Sequence, residues 1–183
     1  SANTLEMRSN NAIDLILQLN NQNYGWGGLY GNRDCSGLLR DYFSIFGFFI
    51  PKYSLAQYNE GNIIDLSSLD RENKKSFIIK NAIPFFTILY KKGHVMLYLG
   101  SYNDDIIIFH SIWGLRTISQ DGTSGREIIG KSVISSLELD KNLDIIPNKL
   151  IDSITGMVMF TPAKYEKNII DFLSNNTDTI SKK

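Results

Sequence analysis

The stretch RDCSGLLRDYF, residues 33–43, decides how the rest of the chain is interpreted. It contains Cys35, the only cysteine among 183 residues. Apolar residues follow it at steps of three and four, which predicts a helix with one apolar face. Asp34 is a favourable N-cap, so Cys35 is expected in the first turn, where the helix dipole favours a thiolate. Cys35 is therefore a candidate nucleophile, although a lone cysteine is more often a small buried hydrophobe.

The only two histidines, His94 and His110, are predicted to lie side by side on neighbouring strands. Two β-rich runs flank a polar turn at 100–104, and a symmetric turn would set His94 directly opposite His110, with Cβ atoms ~5 Å apart. A slip of one residue would separate them. An imidazole can take a thiol proton and later protonate a leaving amine. Cys35 as nucleophile, His94 as base and His110 as the residue that orients His94 thus form a candidate catalytic triad.

The order of the predicted elements is helices first and strands afterwards, which is typical of the α+β class. Helices are expected at 10–19, from Cys35 onward, at 55–60, at 67–74 and at 165–174. Strands are expected at 85–90, 94–99, 105–110, 126–137 and 156–161. The length fits a single domain over 1–183, with polar segments 1–9 and 175–183 as mobile tails.

The composition excludes several classes of protein. Nineteen basic and nineteen acidic residues give a net charge of zero, which argues against nucleic acid or an anionic membrane as the main partner. No apolar stretch reaches the ~18 residues needed to span a bilayer. The N-terminus lacks the basic start and apolar core of a signal peptide, and it begins with serine, as expected of a trimmed piece.

Four motifs in order resemble the NlpC family of papain-like bacterial cell-wall cysteine peptidases. They are the loop YGWGG at 24–28, DCSG at 34–37, the segment from Pro51 through Ser54 to Gln57, and the histidine strand GHVMLYLG at 93–100. The later stretches at 110–114 and 125–131 resemble a subgroup that carries bacterial Src-homology-like domains ahead of the peptidase. The resemblance implies a papain-like fold, with helices packed on an antiparallel sheet.

The resemblance gives the triad the same roles and adds residues around it. Tyr24 lies where the family places a hydroxyl beside the nucleophile to help hold an oxyanion. Asp34 and Ser36 match positions that line the substrate subsite, where Asp34 would pair with a peptide amine unless it is only a cap. Trp26, like Trp113, is either a pocket wall or a core aromatic.

The implied function is that of a cell-wall hydrolase. The family cleaves peptidoglycan stem peptides between γ-D-glutamate and a diamino acid, through a thioester acyl-enzyme and without a metal or other cofactor. Such a protein would act in the periplasm or at the wall, with wall-binding domains upstream.

Three alternatives to this function stay open. A peptidoglycan amidase could use the same Cys–His chemistry, and the chain could also be an inactive wall-binding module. One cysteine and two histidines could instead bind zinc, although neither CxxC nor HExxH spacing is present.

Overall fold

A computed structural model of the protein describes residues 4–119, 121–138 and 150–160. Its helices are α1 (Ser9–Leu19), α2 (Cys35–Ile45), α3 (Ser54–Asn59) and α4 (Arg71–Asn81). Its strands are β1 (Asn62–Asp65), β2 (Thr87–Lys91), β3 (His94–Tyr102), β4 (Asp105–Ile118), β5 (Ser124–Ser136) and β6 (Gly156–Met159). Short 3₁₀ segments lie at Trp26–Gly31 and Leu150–Ser153. No helix in the described part of the chain is long and apolar enough to cross a membrane.

The strands form one antiparallel sheet in the order β1-β6-β2-β3-β4-β5, with helices on both faces. Val95 and Leu97 of β3 belong to the core cluster that contains the apolar face of α2. Met96 and Tyr98 belong to a second cluster, together with Ile78 of α4. The residues of β3 thus alternate between the two clusters, and the predicted α+β class is confirmed.

Several element boundaries differ from those predicted. The first strand, β1, lies ahead of every predicted strand, and the helix expected at 67–74 is α4 at Arg71–Asn81. The strand that carries His110 continues to Ile118 because it pairs with β5 along a long hairpin.

The predicted tail at 175–183 and the helix at 165–174 lie outside the described residues, as do residues 1–3. Residues 4–9, which were predicted as part of a mobile tail, pack onto the domain. The Leu5 N–H donates to the Ile45 carbonyl at 2.9 Å, and Met7 is buried.

The turn between β3 and β4 is shorter than predicted. It consists of Asn103 and Asp104, whose φ angles are 48° and 64°, and Tyr102 lies opposite Asp105. Two successive residues with positive φ match the type I′ turns that close two-residue hairpins. The predicted pairing of His94 directly opposite His110 is therefore wrong in register.

A β-bulge at Leu99 nevertheless keeps the two histidines on one face. The register at the turn, continued without interruption, would set His110 opposite Leu97 and put His94 on the other face. A shift between Tyr98 and Gly100 leaves Leu99 without a partner strand residue, so Leu97 lies opposite Phe109 instead. With this register His110 lies on the same face of the sheet as His94. The two residues are one diagonal step apart, so their side chains can reach each other.

We expect Gly100→Ala to lower the free energy of unfolding by about 1–3 kcal/mol. Gly100 has a φ of 133°, so alanine would strain the backbone there although its Cβ would meet no other atom. When Leu99 is deleted, the strand needs no bulge. Gly100→Ala in that background should therefore leave the free energy of unfolding almost unchanged. Urea unfolding of the wild type, Gly100→Ala, the Leu99 deletion and the combined variant gives a double-mutant cycle. Equal costs in both backgrounds would contradict this account of the bulge. Asn103→Gly, at a position whose φ suits glycine, is the control.

Candidate active site

The two histidines are in direct contact. His94 Nε2 lies 2.9 Å from His110 Nδ1, and the ring planes are inclined by 67°. His110 is fully buried, whereas His94 is partly exposed. On the far side, His110 Nε2 lies 3.2 Å from the hydroxyl of Ser135. The expected histidine pair is therefore present, and it continues to a serine that was not predicted.

Cys35 is the first residue of α2, as predicted. Asp34 is the N-cap, and its carboxylate accepts a hydrogen bond from the Gly37 N–H at 2.7 Å. The sulfur is buried, and the backbone N–H of Val95 is close enough to favour its thiolate form. Because Val95 follows His94 in β3, the thiol lies against the strand that carries His94.

Burial determines the charge states of the site. It raises the pKa of the Cys35 thiol, and the backbone N–H groups around the sulfur offset this only in part. Loss of hydration likewise lowers the pKa of His94 well below its usual value, and the nearby positive charge of Lys91 acts in the same direction. The pKa of His110 falls to about 4 for the same reason. At neutral pH all three groups are therefore uncharged, and the thiolate expected from the helix dipole is not the resting form.

The loop that precedes Cys35 is fastened to the strands that carry the other site residues. The Tyr24 N–H donates to the Gly130 carbonyl at 2.8 Å, which attaches the loop to the edge of β5. The Ser111 hydroxyl donates to the Arg33 carbonyl at 2.9 Å. Since Ser111 follows His110 in β4, this bond fixes the approach to Cys35 relative to the histidine pair.

Three aromatic rings form a wall beside this loop. The ring of Tyr24 lies 5.1 Å from that of Trp26 and 6.0 Å from that of Trp113, and the two tryptophans are 6.4 Å apart. Trp26 is 62% exposed and Trp113 37%, so neither is a core residue. Burial raises the pKa of Tyr24, and the charge of a Cys35 thiolate would raise it further. The Tyr24 hydroxyl therefore stays protonated and can donate a hydrogen bond.

The Asp34 carboxylate is held by several donors. Besides Gly37, it accepts bonds from the Gly27 N–H at 3.0 Å and from the Ser36 hydroxyl at 2.9 Å. Through these contacts Asp34 caps α2 and also holds the loop at 24–28 in place. A polar cleft opens beside it and includes Arg33 and Tyr53 in its lining.

Gln57 has a role that sequence reasoning did not supply. It is fully buried, and its Nε2 donates to the carbonyls of Ser36 and Pro51, each at 2.8 Å. The family-like segment from Pro51 to Gln57 thereby ties α3 to the first turn of α2. Ser111 and Ser135 were missed because only the strand pairing brings them to the site.

Within the described residues, no group of three or more histidine, cysteine, aspartate or glutamate side chains is placed to hold a metal ion. The histidine nitrogens that face each other in the pair are already engaged in a hydrogen bond.

Residues 21–125 match the sequence profile of the NlpC/P60 family. A search of curated proteins found no match. Among solved structures, an NlpC/P60 endopeptidase from Photobacterium damselae subsp. piscicida is 28% identical, with a TM-score of 0.72. The alignment covers 81% of this chain and 38% of that one.

Two more distant structures have a similar fold. An NlpC/P60 family protein from Bacillus cereus has a TM-score of 0.53 at 18% identity, over 87% of this chain and 42% of its own. A lipoprotein-like NLP/P60 protein from Staphylococcus aureus subsp. aureus has a TM-score of 0.51 at 16% identity, over 88% and 45%. This chain thus spans less than half the length of each of these three proteins. The family profile covers more than half of this chain and agrees with its fold, so the chain belongs to the NlpC/P60 family.

Proposed function

We propose that this chain is a cysteine endopeptidase that cleaves the stem peptides of peptidoglycan between γ-D-glutamate and the diamino acid. Cys35 is the nucleophile, His94 the base and His110 the residue that orients His94. The observation that carries this proposal is the hydrogen bond between the imidazoles of His94 and His110. The thiol at the start of α2 lies near the backbone N–H of Val95, the residue that follows His94. Family membership supports the reaction class, and the Photobacterium relative is described as an endopeptidase.

The first step begins from neutral groups. When His94 Nε2–H donates to His110 Nδ1, the other nitrogen of His94 is free to accept a proton. It takes the proton of Cys35 while the sulfur attacks the carbonyl carbon of the scissile amide, so no stable thiolate is required beforehand. The developing oxyanion receives hydrogen bonds from the Cys35 N–H and the Tyr24 hydroxyl.

The acyl-enzyme forms when the tetrahedral intermediate collapses. The carbon–nitrogen bond breaks, and the imidazolium of His94 gives its proton to the leaving amine of the diamino acid. A water molecule then attacks the thioester while His94 takes one of its protons. Breakage of the carbon–sulfur bond releases a γ-D-glutamyl carboxyl product, and that proton returns to the sulfur.

Substrate contacts are proposed for the residues that border the nucleophile. The Asp34 carboxylate and the Ser36 hydroxyl face the subsite for a free amine on the stem, and the exposed Trp26 and Trp113 rings form its wall. The enzyme would act outside the cytoplasmic membrane, in the periplasm or at the wall, and upstream wall-binding domains would bring it to its substrate. It uses no metal, and it does not bind nucleic acid.

Loss of the proposed nucleophile or base should lower turnover more than loss of the residue that orients the base. Cys35→Ala and His94→Ala should lower kcat/KM by at least about 10³-fold, since nucleophile and base act as one unit. His110→Ala should retain a weak rate, and His110→Asn should be more active because it keeps an acceptor for His94. Melting temperatures separate folding defects from chemical ones. Substantial turnover by Cys35→Ala would disprove the thiol mechanism.

Mass spectrometry of digested muropeptides should identify the bond that is cut. The proposed endopeptidase leaves a dipeptide ending in D-glutamate on the muramyl sugar and releases the diamino acid portion. An amidase would instead release the intact stem from the sugar, and an inactive wall-binding module would leave the substrate unchanged. Cys35→Ala is the control that excludes a contaminating hydrolase.

Alkylation of Cys35 by iodoacetamide should increase with pH and have its midpoint above ~8.5, the ordinary thiol value. The reason is that a raised pKa keeps the thiol protonated to higher pH. His94→Ala should leave the midpoint almost unchanged, because the resting imidazole is neutral. Intact mass reports the reaction at this sole cysteine. A wild-type midpoint below pH 7 that moves upward in His94→Ala would show a resting thiolate–imidazolium pair instead.

A further inference from the structure

Three polar side chains form a continuous line across three neighbouring strands. His94 lies on β3, His110 on β4 and Ser135 on β5, with successive contacts of 2.9 and 3.2 Å. Val133 lies opposite His110 in the register of β4 with β5, so Ser135 shares the face of His110 at one diagonal step. The line is therefore fixed by strand pairing on both sides of His110.

His110 has no exposed surface, so its two ring nitrogens depend on partners inside the protein. Each nitrogen has one partner in this line, His94 for Nδ1 and Ser135 for Nε2. A neutral imidazole carries one N–H donor and one acceptor nitrogen. The proton on His110 can therefore be placed in two ways, and each way dictates the state of His94.

In the first arrangement, His110 Nε2–H donates to the Ser135 hydroxyl oxygen, and Nδ1 accepts from His94 Nε2–H. The other nitrogen of His94 is then unprotonated and can act as a base. In the second arrangement, the Ser135 hydroxyl donates to Nε2, and His110 Nδ1–H donates to His94. The proton of His94 is then on Nδ1, and the ring cannot accept the thiol proton.

We propose that Ser135 is a positioning residue whose hydroxyl oxygen accepts the His110 Nε2–H and thereby selects the base-competent tautomer of His94. An unpaired buried N–H costs more than an unpaired lone pair. Without the hydroxyl, His110 moves its proton to Nδ1, and His94 follows into the inactive arrangement. A serine suits this role because it accepts a hydrogen bond without adding a charge, whereas a carboxylate would favour a charged imidazole.

This inference rests on the proposed function for its kinetic part but not for its spectroscopic part. The chain has only two histidines, so ¹⁵N spectra of the imidazoles contain two ring systems and report the tautomer of each. In the wild-type chain both rings should carry their proton on Nε2. In Ser135→Ala, a substantial fraction of both rings should carry it on Nδ1, and Ser135→Thr, which keeps the hydroxyl, should restore the wild-type spectrum.

The kinetic part compares the same variants on muropeptides. Ser135→Ala should lower kcat about tenfold with KM nearly unchanged, the size expected for one hydrogen bond, and Ser135→Thr should recover most of the rate. Ser136→Ala is the matched control, because its hydroxyl accepts from the Glu138 N–H and does not contact His110. An unchanged tautomer in Ser135→Ala would overturn the proposal. Absence of any muropeptide hydrolysis by the wild-type chain would overturn the proposed function alone.

Discussion

The hydrogen bond between His94 and His110 is the interaction on which the rest of the site depends. It requires two side chains from neighbouring strands to meet on one face, and side chains alternate between faces at every residue. The number of residues between the two histidines must therefore match the turn and the bulge together. The two-residue turn alone would put them on opposite faces, and the shift at Leu99 corrects this. The geometry of the proposed triad is thus set first by strand register and only then by the side chains themselves.

Burial is the second constraint, and it acts against charge throughout the site. A thiol at a helix start gains from the dipole and from nearby N–H groups, each worth on the order of 1 kcal/mol. Removal of a thiolate or an imidazolium from water costs more than that. The pKa directions of Cys35, His94 and His110 all follow this balance. A resting site without charge on these three groups is consistent with those directions.

The sequence predicted those features that depend on neighbouring residues. Asp34 caps α2 and Cys35 is its first residue, as predicted, because capping and helical spacing are local properties. The predicted register of β3 with β4 was wrong because the whole polar run at 100–104 was taken as the turn, whereas the turn has only two residues. Asn103 and Asp104 tolerate positive φ and were the signal for it. Ser135 could not be predicted, since no local pattern shows that β5 brings it to His110.

The attachment of the Tyr24 loop to β5 has a consequence for solubility. Residues 21–24 exchange hydrogen bonds with Gly130 and Ser132 along the outer edge of β5, where the sheet would otherwise present unpaired backbone groups. Open edges of this kind recruit strands from other molecules and lead to aggregation. The same few bonds therefore hold Tyr24 near Cys35 and cover the edge of the sheet. Substitutions that weaken these bonds would therefore affect both solubility and the position of the loop. Low yield and low activity in such variants would then have one structural cause.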